Sequence, residues 1–125
     1  MLFDSDVVIW CLRGKPSAQS LLNTVRDPAI SAVSYMEVCR GFKNKQEALY
    51  WKSLIYELNI KVLPIDENIS AKAMYWVEEF SLSHGLDIPD ALIAATATTH
   101  GLPLITGNIK DYNFLPSLVI QHFKE

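Results

Sequence analysis

Short apolar runs alternate with amphipathic stretches along the 125-residue chain. The apolar runs predict strands at residues 2–3, 29–33, 60–63, 104–105 and 118–120. Helical spacing and stop signals predict helices over residues 7–12, 17–26, 34–42, 47–58, 66–84 and 89–99. Strands this short, each followed by a helix, are typical of a parallel sheet covered on both faces. We therefore predict an α/β fold, a three-layer sandwich with about five parallel strands, in which residues 1–125 form a single domain.

Three of the predicted helices begin with cap patterns, and Asp66 is the expected N-cap of the helix over residues 66–84. Ser34 stands three residues before Glu37, which is the spacing of a capping box, so we expect Ser34 to begin its helix and Glu37 to reach back to the Ser34 backbone N–H. The run Asp87-Ile88-Pro89-Asp90 predicts Asp87 as an N-cap and places Asp90 in the first turn. Both acids therefore have a structural explanation before any chemistry is considered.

Composition narrows the class of protein. Half of the residues are hydrophobic and a fifth are charged, which is typical of a globular domain. The net charge of −3 argues against binding nucleic acid through bulk positive charge, but not against meeting a phosphate through metal ions. Cys11 and Cys39 form no disulfide framework or zinc motif, and no apolar run is long enough to span a bilayer. Because Asp4 does not fit a signal peptide, we expect a soluble cytoplasmic protein without membrane contact.

Acidic and amide side chains gather where the predicted strands end. Asp4 ends the first strand, Glu37 follows the second, and Asn108 and Asp111 follow the fourth, while Asp90 begins the alanine-rich helix. Taken singly, each has an alternative explanation as a cap or turn residue. Ligand sites of parallel sheets lie beyond the carboxyl ends of the strands, and oxygen-only donor sets suit Mg²⁺ or Mn²⁺. Together these residues predict a site for such a cation.

Four stretches of the chain carry a family resemblance. They are Leu2-Phe3-Asp4-Ser5-Asp6, residues 30–34 leading to Glu37, residues 88–97 (IPDALIAATA) and Leu104-Ile105-Thr106-Gly107-Asn108. In order and over essentially the whole chain, they resemble the PIN domain, and in particular the VapC-type toxins of prokaryotic toxin–antitoxin pairs. The resemblance implies the same sandwich fold, a metal-dependent endoribonuclease (a hydrolase acting on RNA), a homodimer and an antitoxin as protein partner.

The resemblance also implies roles by position. Asp4, Glu37 and Asp90 match the three family acids and are implied to be catalytic and metal-binding, with Mg²⁺ or Mn²⁺ as cofactor. Asn108 matches the usual fourth metal-binding position, and Ser5 matches the usual hydroxyl residue after the first acid.

Two positions depart from the family pattern. Asp6 stands where the family usually has Asn, and Asn108 supplies no charge at the fourth position. Asp6, Asp111 and Ser5 are therefore additional candidates for the metal site, and the number of metal ions, one or two, stays open.

Basic residues follow Glu37 along the chain. Arg40, Lys43 and Lys45 could contact an RNA backbone beside the acids, since phosphate contacts position a substrate. The alternative, which we favour slightly, is a solvated helix face in which Glu37 and Arg40 pair at i, i+3.

Two other functions fit parts of the pattern. In a haloacid-dehalogenase-like phosphatase, Asp4 of the Asp-x-Asp sequence would be a nucleophile, but the chain is short and Glu37 and Asp90 would have no role. A non-catalytic binding module with a PIN-like fold is the third interpretation, because the fourth charge is missing. The ribonuclease explains most of the acids.

Overall fold

The computed structural model describes residues 1–124, and within this range it contains five strands and six α-helices. The strands are β1 (Leu2–Phe3), β2 (Ala29–Ser31), β3 (Lys61–Leu63), β4 (Leu104–Thr106) and β5 (Ile120–His122). The helices are α1 (Ser5–Leu12), α2 (Pro16–Thr24), α3 (Ala32–Arg40), α4 (Lys45–Glu57), α5 (Glu67–His84) and α6 (Ile88–Thr99), with a short 3₁₀ helix at Ile109–Asp111. No helix in this part of the chain is long and apolar enough to cross a membrane.

All five strands are parallel and lie in one sheet in the order β3-β2-β1-β4-β5. The predicted α/β fold with a short five-stranded parallel sheet is thus confirmed. From the central strand β1 the sheet extends through β2 and β3 on one side and through β4 and β5 on the other. The strand order therefore reverses between β1 and β4, and ligand sites in such sheets lie beyond the carboxyl ends of these strands.

Two hydrophobic clusters cover the two faces of the sheet. Successive strand residues point to opposite faces, so Leu2 and Leu104 pack with α5 and α6, whereas Phe3 and Ile105 pack with α1, α2 and α4. These strand residues are essentially fully buried. Short strands buried on both faces need an apolar residue at nearly every position, which explains why the sequence shows continuous apolar runs and no alternation.

The start of α3 differs from the prediction. Strand β2 ends at Ser31, two residues earlier than expected, and the Ser31 Oγ caps α3 by accepting a hydrogen bond from the Val33 N–H at 3.1 Å. Ser34 is fully buried inside the helix, and its Oγ has no hydrogen-bond partner. The capping box of Ser34 and Glu37 is therefore wrong, because a serine three residues upstream takes the cap position.

The end of the chain also differs from the prediction, whereas two caps are confirmed. Strand β5 begins at Ile120, where it pairs with Leu104, and not at Leu118. Asp66 caps α5, and Asp87 caps α6 through a 3.0 Å hydrogen bond from the Asp90 N–H.

An acidic edge at the carboxyl ends of the strands

Asp4 lies at the point where β1 passes into α1. Its carboxyl group is only 6% exposed and is the N-cap of α1, with Oδ1 accepting a hydrogen bond from the Ser5 N–H at 2.7 Å. Its other oxygen, Oδ2, accepts a hydrogen bond from the Thr106 hydroxyl at 2.8 Å. Thr106 ends the neighbouring strand β4. This hydrogen bond therefore lies where the strand order of the sheet reverses, between β1 and β4. The carboxyl group of Asp4 therefore caps α1, and it also lies at the strand ends, where the sequence predicts a cation site.

Asp90 comes to the same place from α6. The hydroxyl of Tyr112 lies 3.0 Å from Oδ2 of Asp4 and 3.0 Å from Oδ1 of Asp90, so it bridges the two carboxyl groups. Tyr112 is fully buried, and burial together with the two acids raises the pKa of its phenol. The hydroxyl therefore keeps its single hydrogen, which it donates to one of the two carboxyl groups at a time. Sequence reasoning missed Tyr112, because nothing in a lone tyrosine after a turn distinguishes a bridging hydroxyl from ordinary core packing.

Glu37 approaches Asp4 from the other side, through Ser5. The Ser5 hydroxyl donates a 2.6 Å hydrogen bond to Oε1 of Glu37, across 32 positions of the chain. Since the backbone N–H of the same serine binds Asp4, Ser5 links the acids of β1 and α3. Glu37 is partly buried on α3, so the structure brings all three acids of the resemblance to one edge of the sheet.

Asp6 and Asn108 meet at the rim of this edge. Oδ2 of Asp6 accepts hydrogen bonds from the Gly107 N–H at 3.0 Å and from the Asn108 side-chain amide at 3.4 Å. A Cβ atom on Gly107 would lie 2.7 Å from the Trp10 ring and 3.0 Å from Oδ2 of Asp6. Glycine is thus required for the close approach of this loop to α1. Asn108 itself has no charge, but its side-chain amide contacts the carboxyl group of Asp6, which carries an acidic group to the same place.

Asp111 is exposed, but it lies within electrostatic range of two other acids. Its carboxyl group raises the pKa of Asp6 and of Asp90. The carboxyl groups of Asp4, Asp6, Glu37, Asp90 and Asp111 together form what we call the acidic edge. The predicted additional candidates Asp6 and Asp111 therefore belong to it, and Ser5 contacts it through its hydrogen bonds to Asp4 and Glu37.

Burial and neighbouring charges disfavour the ionisation of Asp4 and Asp90. Burial, together with a smaller contribution from the nearby charge of Asp6, raises the pKa of Asp4 from 3.8 to about 6. Burial raises the pKa of Asp90 to about 7, with contributions from the carboxyl groups of Asp87, Asp4 and Asp111. A bound cation would favour the ionised form of these groups.

The donor set fits a hard divalent cation. All its side-chain donors are oxygens, and the neutral Tyr112 hydroxyl lies between the buried Asp4 and the partly buried Asp90. Within residues 1–124, no three His, Cys, Asp or Glu side chains close around a single point as a full protein cage would. Mg²⁺ does not require such a cage, because it keeps several waters and binds through one or two carboxylates.

The predicted RNA-contacting residues lie away from these hydrogen bonds. Arg40 is exposed in the last turn of α3, and Lys43 and Lys45 are exposed on either side of Asn44, the N-cap of α4. The backbone N–H of Lys43 donates a 2.7 Å hydrogen bond to Oε1 of Glu47. The segment between α3 and α4 therefore has a defined conformation.

Comparison with known proteins identifies relatives along the whole chain. The PIN domain family profile matches residues 1–113. Ribonuclease VapC10 of Mycobacterium tuberculosis is 34% identical over 113 residues, which cover 87% of this chain and 83% of the relative. A toxin–antitoxin complex from Klebsiella pneumoniae has a chain that is 30% identical, with a TM-score of 0.79 and 94% coverage of both chains. DNA-bound VapBC from Salmonella typhimurium, at 22% identity, has the same fold with a TM-score of 0.81 over 97% of this chain and 96% of the matched chain.

Proposed function

The chain belongs to the PIN domain family, and from that membership and its acidic edge we propose that it is a metal-dependent endoribonuclease, the toxin of a toxin–antitoxin pair. The observation that carries the proposal is the meeting of Asp4, Glu37 and Asp90, from three separate elements, at the carboxyl ends of the central strands. The relatives named as ribonucleases support RNA as the substrate. The reaction is hydrolysis of a phosphodiester bond.

Asp4, Glu37 and Asp90 would hold the cation, and Asn108 would contribute a neutral oxygen at the rim. When bound, Mg²⁺ or Mn²⁺ polarises the scissile phosphate and lowers the pKa of a coordinated water. The protein's own hydrogen bonds orient the carboxyl groups for this task. Thr106 donates to Asp4, and Ser5 donates to Glu37. Such partners of ligand residues typically contribute 10–100-fold in affinity or activity.

The RNA reaches this edge from solvent, because Asn108 and Asp111 are exposed there. Arg40, Lys43 and Lys45 are the nearest basic residues along the chain after Glu37, and we propose that they contact the RNA backbone. A homodimer, a cytoplasmic location and inhibition by a co-expressed antitoxin complete the proposal. The structures of toxin–antitoxin complexes among the neighbours support the antitoxin partner.

The test is cleavage of total cellular RNA by the purified, partner-free protein in Mg²⁺, Mn²⁺ or EDTA. We expect discrete fragments with either metal and none in EDTA. Asp90→Asn should lower the rate by about a hundredfold or more, since even indirect partners of metal ligands contribute 10–100-fold. Asp87→Asn is the matched control, because it neutralises a neighbouring acid while Asn retains the cap of α6. Equal cleavage by wild type and Asp90→Asn would contradict the proposal.

The phosphatase alternative is disfavoured by the family of the chain and by the surroundings of Asp4. Glu37 and Asp90 lie beside Asp4 at the same edge of the sheet, and a nucleophilic role for Asp4 would leave both of these acids without a function. A small phosphate monoester should therefore not be turned over under conditions in which RNA is cut. Monoester turnover without RNA cleavage would reverse this conclusion.

A further inference from the structure

Tyr112 has an unusual position for a tyrosine at a polar site. Its ring is fully buried and belongs to the hydrophobic cluster between the sheet and helices α5 and α6. Only its hydroxyl reaches the acidic edge, directly after the short 3₁₀ helix. The core therefore holds the ring, and the ring in turn holds the hydroxyl at a defined place.

That place is between two carboxyl groups from different elements. Oδ2 of Asp4 and Oδ1 of Asp90 each lie 3.0 Å from the Tyr112 hydroxyl oxygen, so these two oxygens can be no farther apart than twice that distance. The hydroxyl contacts only one oxygen of each carboxyl group. The second oxygen of each is therefore not occupied by Tyr112.

We propose that Tyr112 is a positioning residue that sets the spacing and orientation of Asp4 and Asp90 for a shared divalent cation. This inference rests on the proposed cation site. Asp4 has further donors in Ser5 and Thr106, but Tyr112 is the one hydroxyl in residues 1–124 that contacts both acids. Without it, the two carboxyl groups would face each other with no donor between them, and repulsion between their ionised forms would turn Asp90 away from Asp4, which Ser5 and Thr106 still hold.

Removal of the Tyr112 hydroxyl should leave the protein folded, but the carboxyl groups of Asp4 and Asp90 should no longer be held together before the cation binds. Tyr112→Phe keeps the buried ring and removes only the hydroxyl, so the core packing of the ring is retained. The cation must then gather two carboxyl groups that are no longer held together. Hydrogen bonds to the residues that bind a metal typically contribute 10–100-fold in metal affinity. We therefore expect the affinity for Mn²⁺ to fall by about tenfold or more.

The test is calorimetric titration of Mn²⁺ into the full-length, partner-free protein, without RNA. Five proteins are compared: wild type, Tyr112→Phe, Asp90→Asn, the double variant of these two positions, and Tyr35→Phe. Tyr35→Phe is the matched control, because it also removes a tyrosine hydroxyl, from a ring that packs on Trp51. Thermal unfolding in EDTA and near-UV circular dichroism verify that each variant is folded.

The double variant separates positioning from general damage. If Tyr112 acts through the two acids, its removal should have little further effect once Asp90 is neutralised, whereas independent damage would add in full. In RNA cleavage at saturating Mn²⁺, Tyr112→Phe should recover most of the wild-type kcat, since excess metal compensates for weak binding.

Each outcome has a defined meaning. Tight Mn²⁺ binding by wild type and Tyr35→Phe, with weakened binding by Tyr112→Phe, supports the proposal. Equal binding by Tyr112→Phe and wild type, with weakened binding by Asp90→Asn, overturns the role of Tyr112 and leaves the proposed function intact. Absence of Mn²⁺ binding by wild type overturns both the role of Tyr112 and the proposed cation site.

Discussion

Neutralising Asp4 should stabilise the metal-free protein while it removes the cation site. The pKa of Asp4 lies at about 6 instead of 3.8, mainly because the carboxyl group is buried. This difference corresponds to roughly 3 kcal/mol of folding free energy that is lost when the group ionises in the folded state. Asn has nearly the same shape and no charge, so Asp4→Asn avoids that cost.

Part of the gain is offset by hydrogen bonding. The Asn carbonyl can accept the two hydroxyl donors of Oδ2, but its amide then faces the Ser5 N–H, and the cap bond at 2.7 Å is lost. Loss of a cap costs about 1 kcal/mol. The expected net gain of Asp4→Asn is therefore about 2 kcal/mol at pH 8 in EDTA.

The pH dependence has a definite sign. Because the folded-state pKa of Asp4 is higher than its unfolded value, the folded state binds more protons, and wild-type stability falls as pH rises from about 4 through about 6. The Asn variant lacks this contribution, so its advantage should be largest above pH 7 and should vanish near pH 4.

The assay is urea unfolding in EDTA at a series of pH values, with Glu79→Gln as the control for neutralising an exposed helical acid. At pH 8 the variant should unfold at a higher urea concentration, with the same slope m of the free energy of unfolding against urea concentration. This combination would show that stability alone has changed. In Mn²⁺ the order should reverse, because only wild type gains binding energy. A variant less stable than wild type at pH 8 in EDTA would refute the reasoning.

Four further predictions follow from single contacts. Gly107→Ala should lower the free energy of unfolding by about 1–3 kcal/mol, measured by urea unfolding, because its Cβ would lie 2.7 Å from the Trp10 ring. Ser5→Ala should slow RNA cleavage by about tenfold at unchanged melting temperature, because Glu37 loses its 2.6 Å hydrogen bond; an unchanged rate contradicts it. Ser34→Ala should stabilise the protein by about 1 kcal/mol, since the buried Ser34 Oγ has no partner. EDTA should abolish RNA cleavage and added Mn²⁺ restore it, and cleavage that persists in EDTA contradicts the metal requirement.

The fold was largely predictable because its signals are local and repeated. Short apolar runs and helix stop signals predicted all five strands and six helices, including the caps Asp66 and Asp87. The errors lie where two residues compete for one role. Ser31 and Ser34 both precede Glu37, and only the end of β2, which is determined by pairing with β3, decides that Ser31 is the cap.

The acids of the site could be predicted from the sequence, but the hydrogen bonds that connect them could not. Asp4, Glu37 and Asp90 are separated widely in sequence, but the rule for parallel sheets places them at one edge. The hydrogen bonds that join them run over 22 to 108 positions, from Tyr112 to Asp90, from Ser5 to Glu37 and from Tyr112 to Asp4. No local pattern carries such pairings, and Tyr112 is a core residue by every local signal. The metal roles themselves remain predictions.

The most direct test of the cation site is nuclear magnetic resonance of the labelled, partner-free protein during addition of paramagnetic Mn²⁺. Broadening at substoichiometric Mn²⁺ reports which backbone amides lie near the bound ion. The account predicts early loss of the amide signals of Ser5 and Gly107, at the acidic edge, and retention of those of Asn59 and Gly101, which precede β3 and β4 at the opposite edge. Early broadening at Asn59 and Gly101 with the signals of Ser5 and Gly107 intact would contradict it.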